Sequence, residues 1–196
     1  MPTSSNQSTP RRVIVAITGA SGAIYGIRAL ELLHSEGVET HLVLSQAAKV
    51  TIHQETRWKV SDVVQSATVY HEANDIGAAI ASGSFQTSGM IVAPCSIKTL
   101  SAIANSYADD LIVRAADVCL KEGRPLVLLV RETPLHRGHL RLMDLAARAG
   151  AVIFPPVPAF YAGPQTVEDL VTATVGRALL RLGLDNPGYA RWKGLG

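Results

Sequence analysis

The chain has 196 residues, of which 47% are hydrophobic and 17% are charged, and its formal net charge is +2. This length predicts one domain that is large enough to bury a sizeable core. The small net charge, without a dense basic run, argues against nucleic acid or an anionic membrane surface as a partner.

The first ten residues are polar and end in Pro10, without the apolar segment of a signal peptide. We predict a disordered leader over 1–10 and a single domain over 11–196. No apolar run approaches the ~20 residues that span a bilayer. The protein is therefore expected to be soluble, cytoplasmic and without a membrane partner.

Apolar blocks alternate with helical patterns along the chain, which is typical of βαβ units. The predicted main strands are 13–17, 40–44, 90–93, 126–130 and 151–154. The predicted helices are 23–35, 46–54, 99–106, 110–122, 139–149 and 167–182. Right-handed crossovers between these strands predict an α/β fold, with a three-layer, doubly wound parallel sheet of the Rossmann or flavodoxin-like type.

Two segments interrupt this alternation. Residues 56–88 predict a short helix at 61–65, a strand at 68–71 and an ordered loop at 77–84. The prolines at 155–158 end the last main strand, because proline lacks an N–H donor and fixes φ.

The two cysteines, Cys95 and Cys119, lie in apolar surroundings without the spacing of a metal site. We expect both to be buried free thiols, and no metal site is predicted.

The strand at 13–17 ends in a turn that contains Gly19 and Gly22, and a helix with Gly26 follows. Free N–H groups at a helix start favour a bound anion. Alternatively, the glycines serve only close packing. A dinucleotide site would show GxGxxG and an acidic residue after the second strand, where this chain has Ser45. The pattern therefore favours a mononucleotide over NAD.

Further polar residues follow the later strands, at the sheet edge where open α/β folds bind ligands. Ser96 and Thr99 are alternatively only helix caps. Arg131 and Glu132 are alternatively a solvated pair, and Tyr161 an amphipathic core residue. Their coincidence at one edge favours a site. The candidates at this edge are Ser96, Ile97, Lys98, Thr99, Arg131, Glu132 and Tyr161.

Six segments in order closely resemble the UbiX/Pad flavin prenyltransferases, which are related to homo-oligomeric flavin-containing cysteine decarboxylases. The resemblance runs from about residue 12 to 192. Its segments are ITGASGAIYG at 17–26, HLVLSQAA at 41–48, ASGSFQT at 81–87, APCSIKTLSAIA at 93–104, RAADVCLKEGRPLVLLVRETPLHRGHL at 114–140 and PPVPAFYAGPQTVEDLV at 155–171.

The resemblance implies transfer of the dimethylallyl group of dimethylallyl monophosphate to N5 and C6 of reduced FMN. The prenylated FMN would serve a UbiD-type decarboxylase, as in ubiquinone biosynthesis and aromatic acid decarboxylation. The resemblance also implies a single flavin-binding domain in a homo-oligomer, a dodecamer. It departs from the family pattern at Lys98, where many relatives have glycine, and at Gly123, which replaces a residue that is often basic.

Site residues carried over from the resemblance form three groups. Those implied for FMN are Gly19, Ala20, Ser21, Ser45, Ser96, Ile97, Lys98, Thr99 and Arg131. Those implied around the prenyl phosphate are Arg114, Lys121, Glu132, Tyr161 and Arg177. Catalytic roles are implied for Ser21, Glu55, Lys121 and Glu132. Ser21, Glu55 and Glu132 would act as acid, base or orienting groups.

The predicted helix 110–122 places Arg114, Asp117 and Lys121 on one face. That face is either a solvated stripe or part of a neighbouring subunit's site. A monophosphate is a poor leaving group, so cations such as Lys121 and Arg177 must offset its charge. Most prenyl transferases hold magnesium with aspartate-rich motifs. The sequence has one pair of adjacent aspartates, at 109–110, and no second cluster, which favours a metal-independent reaction.

Two other functions remain open from the residues. An FMN-dependent decarboxylase of cysteine-type substrates would carry a Pro-x-Met-Asn motif, where this chain has Pro94 to Ile97. A subunit that stores or delivers FMN to an aromatic acid decarboxylase would not need the phosphate-binding set. The pair Arg191 and Trp192 either closes over a site or packs on a neighbouring subunit, and packing is favoured.

Overall fold

The computed structural model describes residues 11–184, 188 and 189. The predicted leader at 1–10 and the pair Arg191 and Trp192 lie outside the described residues. Six parallel strands form one sheet in the order β3-β2-β1-β4-β5-β6. The strands are β1 Arg12–Ile17, β2 Glu39–Leu44, β3 Val69–Glu72, β4 Met90–Cys95, β5 Leu126–Val130 and β6 Val152–Ile153.

Helices cover both faces of this sheet, as the continuous apolar strands require. The α-helices are α1 Ala23–Ser35, α2 Gln46–Glu55, α3 Val60–Gln65, α4 Ile97–Ala104, α5 Leu111–Lys121, α6 Arg137–Arg148 and α7 Val167–Leu179. Two 3₁₀ turns lie at Ala79–Ala81 and Leu180–Leu182. Side chains of β1 alternate between two cores, one shared with α1 and α7 and the other with α4, α5 and α6. The predicted three-layer, doubly wound fold is confirmed.

Several predicted boundaries were wrong, each for a local reason. Strand β4 continues through Pro94 to Cys95, with a shift in its pairing to β5 between Val92 and Cys95. Helix α6 begins two residues before the predicted His139, because Nδ1 of His136 accepts from the N–H of Gly138 at 2.9 Å and caps the helix. Neither the strand pairing nor the histidine cap can be predicted from hydrophobic periodicity.

Capping side chains explain further differences between the predicted and the observed helix boundaries. Ser96 caps α4, so this helix starts at Ile97 rather than at Thr99. Asp110 caps α5 by accepting from the N–H of Val113, and therefore lies just outside the helix. The last predicted strand is shortened to two residues, and helix α7 passes into a 3₁₀ turn at Leu180.

Helix α1 packs unusually close to the strands because Gly26 has no side chain. A Cβ at this position would lie 2.3 Å from the carbonyl oxygen of Ala93 and 2.6 Å from Cγ1 of Ile17. Only a glycine therefore allows α1 to reach β1 and β4 and to hold the preceding turn at the sheet edge.

We expect Gly26→Ala to lower the free energy of unfolding by about 2–3 kcal/mol, because the added methyl group pushes α1 off the sheet. Gly77→Ala is the matched control, since its nearest contact would be the Asp75 carboxylate at an ordinary 3.5 Å. Urea denaturation measures both variants. Equal stabilities would contradict the close-packing role of Gly26.

Both cysteines are fully buried, as predicted. Burial raises the pKa of Cys95 and of Cys119 to about 12 in each case. The reactive thiolate is therefore scarce at neutral pH and becomes abundant only as the pH approaches that value.

We expect neither thiol to react with iodoacetamide at pH 8 in the native protein, and both to react after unfolding in guanidinium. Intact-mass measurement counts the alkyl groups under each condition. Alkylation of Cys119 in the folded protein would contradict its assignment as an inert packing residue.

Candidate active site

The carboxyl ends of β1 and β4 are joined by the buried side chain of Thr18. Its Oγ1 donates to the carbonyl oxygen of Pro94 at 2.7 Å and accepts from the N–H of Ser96 at 2.8 Å. This hydroxyl fixes the turn after β1 against the start of α4. Sequence reasoning missed Thr18, although a polar residue at the end of an apolar strand is a usable signal.

Two helices begin at this edge, and both are capped by predicted site residues. Ser45 Oγ accepts from the N–H of Ala48 at 3.1 Å, and Ser96 Oγ accepts from the N–H of Thr99 at 3.3 Å. The capping interpretation is therefore correct for Ser96. Capping does not exclude a ligand, since each helix start keeps free N–H groups. The Ser96 and Thr99 hydroxyls also share a hydrogen bond of 3.1 Å.

A groove of about 750 Å³ lies between these two helix starts. It contains the predicted residues Gly19, Ser45, Ser96, Lys98 and Thr99. Sequence reasoning missed its other polar lining, which comes from loops that the sheet topology brings in. Those additional residues are Thr18, Gln46, Asn74, Asp109 and Asp110.

The turn after β1 is held open by glycine. Gly19 lies against α2, where an added Cβ would be 2.3 Å from Cβ of Ala47. Gly22 caps α1 with φ of 101°, a left-handed conformation that favours glycine. Ala20 and Ser21 lie between them, half-buried and exposed respectively. The glycine pattern therefore serves both packing and an accessible backbone.

Glu55 reaches this turn from the end of α2. Its Oε2 accepts from the N–H of Gly22 at 2.7 Å. The fold thus brings together two predicted acid–base candidates, Glu55 and the adjacent Ser21, which are 34 positions apart in the sequence. Both side chains are exposed.

Arg131 and Glu132 follow β5 at the same edge. The N–H of Arg131 donates to the carbonyl oxygen of Cys95 at 3.1 Å, which ties this loop to the end of β4. Burial raises the pKa of Tyr25 on α1, and the positive charge of Arg131 opposes that shift. Glu132 Oε1 accepts from the N–H of Thr133 at 3.0 Å, so its carboxylate is oriented locally. Ile97, also predicted for FMN, is half-buried and packs against the core on the α4 side.

Arg177 lines a second cavity of about 200 Å³ beside β6 and α7, and Tyr161 is joined to it through Tyr189. Arg177 and Tyr189 line it, and the Tyr161 and Tyr189 hydroxyls are 2.5 Å apart. This hydrogen bond is the main cause that raises the pKa of Tyr161, while the charge of Arg177 lowers it. Sequence reasoning paired Tyr161 with Arg177 but missed Tyr189.

Lys121 is not brought to this edge within one copy, whereas Arg114 lies about one helical turn from Asp110 at the groove. Helix α5 begins beside the groove, at Asp110, and returns towards the amino ends of the strands, where β5 starts at Leu126. At about 1.5 Å per residue, Lys121 lies roughly 15 Å along the helix from its start. The residues predicted for the donor phosphate are therefore not all at one end of the molecule, since Lys121 lies at the far end of α5.

Within residues 11–184 together with 188 and 189, no group of three potential metal-ligating side chains is close enough to hold a metal ion. In the same part of the chain, no helix is long and apolar enough to cross a membrane.

We compared the chain with protein families, with characterised proteins and with solved structures. The flavoprotein family model matches residues 1–179. The chain is 58% identical over 187 residues to the flavin prenyltransferase UbiX of Escherichia coli K12, covering 94% of this chain and 99% of that protein. A flavin prenyltransferase UbiX of Thauera aromatica is 57% identical over 183 residues, with coverage of 93% and 94%.

A crystal structure of the UbiX protein AnUbiX in complex with FMN and dimethylallyl pyrophosphate superposes with a TM-score of 0.94. It is 52% identical and covers 96% of this chain and 100% of its own. These similarities extend over almost the whole chain rather than over the glycine turn alone. The chain therefore belongs to the flavoprotein family and, within it, to the UbiX flavin prenyltransferases.

Proposed function

We propose that this protein transfers the dimethylallyl group of dimethylallyl monophosphate to reduced FMN. The bond to N5 forms as the carbon–oxygen bond to phosphate breaks and inorganic phosphate leaves, and the bond to C6 forms once the dimethylallyl double bond takes up a proton and C6 loses one. The observation that carries the proposal is the groove between two helix starts, in a chain of the flavin prenyltransferase family. Reduced FMN supplies the nucleophilic flavin, and the protein supplies binding, charge and proton transfer. The chain acts as a single flavin-binding domain over 11–196.

FMN binds in the groove. The two helix starts behind Ser45 and Ser96 present free N–H groups and positive dipole ends, which suit a phosphate group. The turn from Gly19 to Ser21 faces the flavin ring with its exposed backbone. Arg131 borders the same site from the end of β5 and adds a positive charge.

Around the reacting atoms, three side chains hold or move protons. Ser21 orients a proton near flavin N5, and Glu55 lies beside it at the turn. Glu132 accepts the proton that is displaced when the flavin is substituted at C6. Tyr161 and Arg177 bind the donor phosphate, with Tyr189 holding the Tyr161 hydroxyl in place.

The site is completed by a neighbouring copy of the chain. Lys121 lies at the far end of α5 from the groove, so a second copy must present it. Around Tyr161 the surface carries Val157, Phe160 and Val167, which are 73%, 68% and 70% exposed. Such apolar exposure marks a contact surface.

A structure described as a dodecameric FMN-dependent UbiX-like decarboxylase from Escherichia coli O157:H7 is 50% identical, with a TM-score of 0.90. It covers 93% of this chain and 100% of its own. We assign the same dodecameric assembly to this protein. Its product passes to a UbiD-type decarboxylase, and the reaction takes place in the cytoplasm, where its charged substrates are retained.

We expect the protein, mixed anaerobically with reduced FMN and dimethylallyl monophosphate, to produce a flavin heavier by one dimethylallyl unit. Glu132→Gln is expected to slow this conversion by about 100-fold, because a general base is lost. Mass spectrometry of the released flavin follows both reactions.

Glu36→Gln is the control, since this exposed carboxylate lies at the end of α1, away from the groove. FMN affinity should be unchanged in both variants. A flavin of unchanged mass with the wild-type protein would instead favour a storage or delivery subunit, and full activity of Glu132→Gln would remove the assigned base.

We expect Lys121→Met and Glu132→Gln to be nearly inactive alone and to recover activity when co-expressed. A mixed assembly contains some sites that combine Lys121 of one copy with Glu132 of another. The prenylation rate of tagged, co-purified mixed assemblies measures this recovery. A prenylation rate no higher than the sum of the rates of the two separate variants would contradict a site shared between copies.

A further inference from the structure

The cations proposed for the donor phosphate are already paired with carboxylates of their own chain. Arg114 Nη1 lies 2.9 Å from Asp117 Oδ2, and Lys121 Nζ lies 2.5 Å from Glu122 Oε1. These side chains are between 30% and 46% exposed. An incoming phosphate therefore meets each cation together with a negative partner.

The segment 81–85 fixes this arrangement against α5. Arg114 Nε donates to the carbonyl oxygen of Ala81 at 3.1 Å. Arg124 donates through Nη1 to the carbonyl oxygen of Phe85 at 2.7 Å and through Nη2 to that of Gly83 at 2.5 Å. The segment is thus held by two guanidinium groups rather than by apolar packing alone.

Gly83 lies directly on the pair of Lys121 and Glu122. A Cβ at Gly83 would be 2.2 Å from Glu122 Oε1 and 2.9 Å from Lys121 Nζ. The pair is confined between the helix end and the segment, which distinguishes it from a freely moving surface ion pair. The carboxylate of Glu122 therefore has a fixed place beside the ammonium group.

The net charge of the side chains around the end of α5 is small. Arg114, Lys121 and Arg124 contribute three positive charges, while Asp117 and Glu122 contribute two negative charges. The hydrogen bond from Lys121 and the charges of Lys121 and Arg124 hold the pKa of Glu122 below its usual range. Glu122 is consequently ionised at any pH at which the protein works.

We propose that Glu122 determines the charge of the prenyl donor that the site prefers. Its carboxylate offsets part of the attraction of Lys121 and repels each negative charge on the donor. A dimethylallyl diphosphate carries about one more negative charge than the monophosphate, so it is penalised more. Glu122 is a positioning residue, acting through Lys121, and this inference depends on the proposed function of Lys121.

The test compares kcat/KM for dimethylallyl monophosphate and for dimethylallyl diphosphate in the wild type and in Glu122→Gln. The glutamine keeps the size and a hydrogen-bond acceptor but removes the charge. We expect the ratio of diphosphate to monophosphate kcat/KM to rise about three- to tenfold, the effect of one unit charge near a protein surface. The change should appear in KM, with kcat for the monophosphate nearly constant.

Asp144→Asn is the matched control, because Asp144 forms an exposed ion pair with Arg148 on α6. It should leave the donor ratio unchanged. Glu122→Ala provides a second variant, since it also removes the carboxylate and should raise the ratio in the same direction. Melting temperatures and FMN affinity verify that each variant is folded.

An unchanged donor ratio in folded Glu122→Gln would overturn the inference, as would an equal loss with both donors, which would mean that Glu122 only orients Lys121. Absence of prenylation by the wild type with either donor would instead contradict the proposed function itself. The two failures are therefore distinguishable.

Discussion

The buried hydroxyl of Thr18 is the interaction on which the sheet edge depends. It joins the end of β1 to the chain that leaves β4, by bonding both to the Pro94 carbonyl and to the Ser96 N–H. Without it, the N–H of Ser96 would lose its partner, while the Pro94 carbonyl oxygen would keep only the Thr18 N–H at 3.3 Å. These two hydrogen bonds hold the turn after β1 against the start of α4, and the groove lies between that turn and the two helix starts.

Chain topology then divides the chemistry between the two ends of the molecule. Parallel strands bring the groove, Glu55, Arg131 and Glu132 to the carboxyl edge, while α5 carries Lys121 back towards the amino edge. A site that needs both sets cannot be built from one copy. The proposed reaction therefore requires assembly, in which the paired charges at the end of α5 are assigned to another copy's active site.

The sequence predicted those features that depend on local chemistry. Continuous apolar strands predicted the parallel sheet, Ser45 after β2 preceded a correctly predicted helix start, and the glycine spacing predicted the turn. Prediction was wrong where a distant or unusual partner decided the boundary. His136 caps α6 with an imidazole nitrogen, and β4 continues through Pro94 with a shift in its pairing to β5.

By itself, the sequence determined the fold class, the family and the identity of the charged and hydroxyl side chains, because these follow from periodicity and motif. Only the tertiary structure decided which of them meet. Glu55 reaches Gly22 across 33 residues, Tyr189 binds Tyr161 across 28, and Glu122 is fixed beside Lys121 by the segment around Gly83. Such contacts depend on how strands and helices are placed in space, and no spacing along the chain encodes that directly.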